Sequence, residues 1–112
     1  MTAAKGKTFT LHDLAARVKE RAGASADESY TRSLLDQGVA HCAKKFGEEA
    51  VETALAAVGE DRARVIAETA DLLYHLAVLL EACGVSFAEV EAVLAERTAQ
   101  SGLAEKAARP RK

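Results

Sequence analysis

Val39-Ala40-His41-Cys42-Ala43-Lys44-Lys45-Phe46-Gly47-Glu48-Glu49-Ala50-Val51-Glu52-Thr53-Ala54-Leu55-Ala56-Ala57-Val58 is the stretch on which the fold turns. Val39, Ala43, Phe46, Ala50, Ala54 and Ala57 recur every three or four residues, the period of a helix that buries one stripe. Val51, Leu55 and Val58 widen that stripe. Gly47 interrupts it at a cost of about 1 kcal/mol relative to Ala, and a mid-helix glycine marks a place where another group comes close. Gly38 breaks the chain before the helix and Gly59 caps it. Asp61 then opens a further helix that runs to about Cys83 and is closed by Gly84. With only Gly59 and Glu60 as the link, the two helices are antiparallel neighbours.

The flanking segments are helical too. Thr10 and Asp13 make a capping-box variant at the head of a helix that ends at Ala22 before Gly23, with Leu11, Leu14, Ala15 and Val18 as its apolar stripe. Residues 24–38 read as a loop with a short helical turn over Ser33 to Gln37. Ser86 with Glu89 caps a last helix that reaches about Gln100 on Phe87, Val90, Val93 and Leu94. The expected fold is all-α: four to five helices in one domain spanning residues 1–112, with a flexible basic tail at 103–112. Beyond Asp71, the apolar residues Leu72, Leu73, Leu76, Val78, Leu79 and Leu80 cover almost the whole helix circumference. Such a helix is buried on several sides, which so short a chain does not achieve alone. The sequence therefore predicts an antiparallel helical bundle completed by dimerisation, most simply as a symmetric homodimer.

Composition agrees and removes other classes. The 112 residues include 25 alanines, one proline and no tryptophan, with aromatics at 4%, a mixture that favours helices over a sandwich or barrel. Fifteen bases against 17 acids give a net charge of −2, which argues against a nucleic-acid binder. The longest apolar run, Leu72 to Leu80, is far short of the roughly 20 residues a bilayer requires. The N-terminal residues lack a secretory pattern. Cys42 and Cys83 show no metal-ligand spacing and read as small buried hydrophobes. A cytoplasmic protein is the resulting expectation. The net charge also hides a segregation: Lys106 to Lys112 hold four bases and no acid, so residues 1–105 carry 11 bases against 17 acids, a net −6.

Five of those acids form a pattern. Glu48, Glu49 and Glu52 fall within one arc of about 100° on the Val39–Val58 helix. Glu68 and Asp71 stand one turn apart on the following helix, with Arg64 and His75 returning to the same face. Counted from the intervening turn, Glu52 and Glu68 lie at similar heights, so the two acidic faces meet. Like charges one turn apart destabilise a helix by roughly 0.2–0.5 kcal/mol per pair. A hard divalent cation compensates, and Mg²⁺ commonly bridges carboxylates to substrate phosphates. The alternative is a solvated acidic face paired with Lys44, Lys45 and Arg64. Lys44 and Lys45 precede Glu48 and Glu49 by four residues, the weaker order for a helix pair, which leaves them available for phosphate. His75 is a structural polar group or a hydrogen-bond partner behind the metal ligands. Phosphate loops, glycine-rich nucleotide fingerprints and nucleophilic triads are missing from the sequence.

The segments Lys45-Phe46-Gly47-Glu48-Glu49-Ala50-Val51-Glu52 and Glu68-Thr69-Ala70-Asp71-Leu72-Leu73-Tyr74-His75-Leu76 resemble the phosphoribosyl-ATP pyrophosphatases of histidine biosynthesis. Ser29-Tyr30-Thr31 followed by Leu34-Leu35, and Ser101-Gly102-Leu103-Ala104-Glu105-Lys106-Ala107, agree with it. The resemblance covers about residues 9–109. The two acidic pairs alone indicate only the wider all-α, MazG-like nucleotide pyrophosphohydrolases. The resemblance implies a Mg²⁺-dependent, dimeric helical enzyme that hydrolyses phosphoribosyl-ATP to phosphoribosyl-AMP and pyrophosphate, with water attacking the α phosphorus. It implies Glu49, Glu52, Glu68 and Asp71 as metal ligands and Glu48 as a further ligand or the group that orients the water. Lys44, Lys45, Arg32 and Lys106 are phosphate candidates. A fused cyclohydrolase has no room in this chain, so a monofunctional enzyme is expected. Two rivals remain: a housekeeping pyrophosphohydrolase of (d)NTPs that shares the metal site, and a non-enzymatic helical dimerisation module.

Overall fold

The computed structural model describes residues 8–99, 102, 106, 107, 109 and 110. Five helices follow one another, and among the described residues there is no strand: α1 (Leu11–Ala22), α2 (Tyr30–Asp36), α3 (Val39–Val58), α4 (Arg62–Cys83) and α5 (Phe87–Thr98). Each expected long helix forms close to its expected bounds. Both capping boxes are present, with Thr10 and Ser86 side chains accepting from the backbone N–H of Asp13 and Glu89, whose carboxylates accept in return from the cap N–H groups. Asp61 caps α4 through Arg64 N–H. Gln100, Ser101 and most of the basic tail lie outside the described residues.

The segment before α3 differs from expectation. Helix α2 begins at Tyr30, not at Ser33, because Ser29 caps it by accepting from Arg32 N–H at 3.0 Å. Tyr30 and Thr31 have modest helix propensity, and tertiary contacts overrule it. Thr31 is buried with its hydroxyl 2.6 Å from that of Tyr74, and Leu34 is buried beneath it.

The antiparallel α3–α4 hairpin is the backbone of the molecule, with α1 and α2 leaning on it. Its turn is a Schellman motif: Asp61 N–H donates to Ala56 C=O and Glu60 N–H to Ala57 C=O. The left-handed position of that turn is held by Glu60 at φ 59°, one residue beyond Gly59. The core is small. Val18, Leu34, Cys42, Ala77, Val78 and Phe87 are buried together, with Leu14, Leu35, Leu76 and Leu79 packed around them. Each large aliphatic or aromatic side chain among the buried six contributes about 1.5–3 kcal/mol.

Three readings of single residues change. Cys42 is buried as expected, donating its thiol to Leu34 C=O at 3.3 Å, but Cys83 is exposed at the end of α4. Among the described residues Gly47 meets no close neighbour outside its own helix, with nothing within 4 Å of where a Cβ would stand. Of the α5 residues expected to pack, only Phe87 is buried, while Val90, Val93 and Leu94 face solvent. Helix α5 is joined to α1 by the His12–Glu91 pair at 2.9 Å.

Candidate metal centre

Three of the five acids converge. Glu49 on α3 and Glu68 and Asp71 on α4 each offer a carboxylate oxygen, and the three atoms lie within 4.8 Å of one another. The one-turn spacing aligns Glu68 with Asp71, and the antiparallel hairpin sets Glu49 opposite them. Between the helices stands Thr53, whose hydroxyl oxygen is 2.8 Å from Glu49 C=O and 3.1 Å from Glu68 C=O.

The electrostatics are unbalanced in the isolated chain. Glu49 Oε1 is shut off from solvent and has no hydrogen-bond partner among the described residues, a costly state for an ionised acceptor. Burial holds the Glu49 carboxyl above the ordinary carboxylate value, and Glu52, Asp71 and Glu68 push it further, with Lys45 opposing. An all-oxygen donor set of this kind suits a hard cation. Ligands at 2.0–2.1 Å in an octahedron are about 2.9 Å apart when adjacent and about 4.1 Å when opposite. The three oxygens, none more than 4.8 Å from another, would have to draw inward to reach those separations.

The two remaining acids sit on the flanks. Glu52 is exposed, outside the converging trio, and acts on it as the foremost charged neighbour of Glu49. Glu48 is exposed and turned toward Lys45, whose Nζ lies 3.2 Å from its Oε1. Arg64 reaches Glu68 from one turn earlier, at 3.7 Å. Cations thus stand on both sides of the trio. Lys44 is exposed on α3. Arg32 is already engaged: it pairs with Asp36 at 2.9 Å and donates to Ala24 C=O at 3.0 Å, tying α2 to the end of α1. Lys106 is exposed beyond α5, and no described contact joins it to the trio.

His75, one turn beyond Asp71, is buried. Its ring is edge-on to Tyr74 at 5.0 Å and to Tyr30 at 6.3 Å, and the two tyrosine rings are stacked. Burial, then the charge of Lys45, hold its imidazole below the ordinary histidine value. It is a buried group packed among aromatic rings, one turn from Asp71. The acidic pattern did not reveal Thr53 or Tyr30. Thr53 lies four residues after Glu49 on the same face, and that spacing was the available signal. A separate groove of about 420 Å³ between α1, α4 and α5, lined by Ala15, Leu80 and Phe87, includes none of the five acids.

Fold and site together define an all-helical protein with a cluster of three carboxylates on a helical hairpin, flanked by basic side chains. The family described as phosphoribosyl-ATP pyrophosphohydrolase matches residues 11–98, and the chain belongs to that family. It is 64% identical over 103 residues to the phosphoribosyl-ATP pyrophosphatase of Nitrobacter winogradskyi, covering 92% of this chain and 89% of that protein. It is 68% identical to that of Azorhizobium caulinodans, covering 91% and 94%. With that of Ruegeria pomeroyi it shares 54% identity, covering 90% and 96%. The family suggested by the acidic segments is the family found.

Proposed function

We propose that this chain is a cytoplasmic enzyme that hydrolyses phosphoribosyl-ATP to phosphoribosyl-AMP and pyrophosphate, the second step of histidine biosynthesis. The observation that carries the mechanism is the convergence of Glu49, Glu68 and Asp71 in a member of this family. These three residues, with Glu52 at the edge, would hold Mg²⁺. When bound, the ion supplies charge neutralisation for the triphosphate oxygens and the leaving pyrophosphate. Glu48, steadied by Lys45, is the carboxylate we assign to orient the attacking water. Lys44, Lys45 and Arg64 are the bases we assign to drawing phosphate toward the trio. Arg32 serves first to fix α2. His75 stays neutral and fixes the floor of the site through its packing.

The working unit is a homodimer on this reading. Val51, Leu55 and Val58 form a stripe on α3 at one- and two-turn spacing and are 59%, 61% and 80% exposed, with Ile66 on α4 exposed to a similar degree. Leu72, Leu73 and Leu76 are only half-buried within one chain. A second copy of the same stripe offers matching apolar surface and a symmetric closure.

The test is release of pyrophosphate from phosphoribosyl-ATP with Mg²⁺ and with EDTA, beside dCTP and dUTP. Turnover of phosphoribosyl-ATP that needs Mg²⁺ and exceeds that of both dNTPs is expected. Preference for a dNTP would transfer the chain to a housekeeping role, and inactivity on all three would leave a helical interaction module.

A further inference from the structure

Thr53 lies between the two halves of the acidic centre without belonging to its acidic pattern. A β-branched threonine in a helix has two side-chain rotamers open to it, one of which turns the hydroxyl back onto the carbonyl four residues earlier. Thr53 adopts this rotamer, with Oγ1 2.8 Å from Glu49 C=O. The same oxygen is 3.1 Å from Glu68 C=O on the facing helix. One hydroxyl proton thus serves two acceptors in a three-centre arrangement. The acceptors belong to the very residues whose carboxylates face each other across the hairpin.

The consequence is a distance. A hydroxyl can approach a carbonyl oxygen to 2.8–3.1 Å, whereas a methyl group at the same place needs about 3.5 Å. Hydroxyl-to-methyl replacement therefore moves α4 away from α3 by a few tenths of an ångström at the level of Glu49 and Glu68. Mg²⁺ demands nearly ideal octahedral geometry at 2.0–2.1 Å, while Ca²⁺ accepts flexible coordination at 2.3–2.6 Å. A shift of that size penalises the smaller ion selectively.

We propose that Thr53 is a positioning residue that sets the spacing of Glu49 and Glu68 for a small divalent cation, an inference that rests on the metal-centre reading above. The experiment is calorimetric titration of the intact chain with Mg²⁺ alone and with Ca²⁺ alone, circular dichroism melting confirming that each variant is folded. Thr53→Val, which keeps the β-branch, is expected to lose about tenfold in Mg²⁺ affinity, the size typical of groups that support metal ligands. Its Ca²⁺ affinity stays near wild type, and Thr53→Ser restores Mg²⁺ binding. Should Thr53→Val fail to fold, Thr53→Ala removes the hydrogen bonds that tie the two carbonyls together without adding a clash, and is expected to show a smaller loss of Mg²⁺ affinity with Ca²⁺ affinity again near wild type. Equal Mg²⁺ affinity in wild type and the hydroxyl-free variant overturns the role of Thr53. So does a parallel loss of both cations, or a serine variant that does not recover. Failure of the wild type itself to bind Mg²⁺ instead overturns the metal centre, and is seen before any variant is made.

Discussion

The hydroxyls of Thr31 and Tyr74 are 2.6 Å apart, and this contact fastens the short helix α2 to the middle of α4. Thr31 is 1% exposed, so its hydroxyl has no water to fall back on. Tyr74→Phe removes the partner while keeping the ring, leaving a buried polar atom unsatisfied at a cost of about 1–3 kcal/mol. Thermal melting should show a fall of several degrees, and Thr31→Val in the same background should recover part of it. An unchanged melting temperature in Tyr74→Phe would show that α2 is held by Leu34 and Arg32 without help from this hydroxyl pair.

That contact also explains why α2 was poorly legible in the sequence. Helices α1, α3, α4 and α5 declare themselves through apolar periodicity and through the local pairs Thr10–Asp13 and Ser86–Glu89, which need nothing beyond their own segments. Helix α2 has seven residues, too few for a period, and is stabilised by Tyr74, 43 positions away. The acidic centre was legible as a pattern but not as a geometry. Glu48 and Glu52 share the arc of Glu49, yet on a helix some 10–12 Å wide including side chains such an arc separates carboxylates by several ångströms. One of them turns to Lys45, and only Glu49 joins Glu68 and Asp71. Thr53 escaped because its role depends on a carbonyl of the neighbouring helix.

The hairpin turn carries a correctable strain. Glu60 occupies the left-handed region at φ 59°, where a side chain costs roughly 1–2 kcal/mol, while Gly59 has an ordinary helical φ of −76°. Part of the gain from a glycine at position 60 is offset by the freedom it adds to the unfolded chain. Glu60→Gly should therefore stabilise the protein by about 0.5–1 kcal/mol, read as a higher melting temperature with unchanged Mg²⁺ binding. A lower melting temperature would mean that the Glu60 side chain contributes more than the backbone loses.

Glu49 fixes a pH dependence for the metal-free protein. Its carboxyl titrates above the ordinary value, because of burial and then the charges of Glu52, Asp71 and Glu68. The folded state therefore binds this proton more tightly than the unfolded chain does. The associated stability is fully present below about pH 4.5, the unfolded value, and is lost as pH rises through the higher folded value. Glu49→Gln, which is neutral throughout, should melt higher than wild type at neutral pH in the presence of EDTA. The difference should shrink on acidification. The same variant should lose Mg²⁺ binding, so that the ion stabilises wild type and not the mutant. A glutamine variant no more stable than wild type at neutral pH would show that the carboxylates are relieved by solvent.

The exposed stripe on α3 gives a decisive result on assembly. Leu55 is 61% exposed between Val51 and Val58, the centre of the surface that a second copy would cover. Leu55→Glu removes an apolar group worth about 1.5 kcal/mol or more from each side of a symmetric interface, and about 3 kcal/mol in all is roughly a hundredfold in the dimer dissociation constant. Because Leu55 lies outside the buried cluster of the single chain, the helix content of the variant should stay at the wild-type level. Sedimentation should find a dimer for wild type and a monomer for Leu55→Glu at the same micromolar concentration. If the site draws on the partner for closure, pyrophosphate release falls in step with the loss of dimer. A Leu55→Glu protein that still sediments as a dimer would place the contact surface elsewhere, on the half-buried leucines of α4.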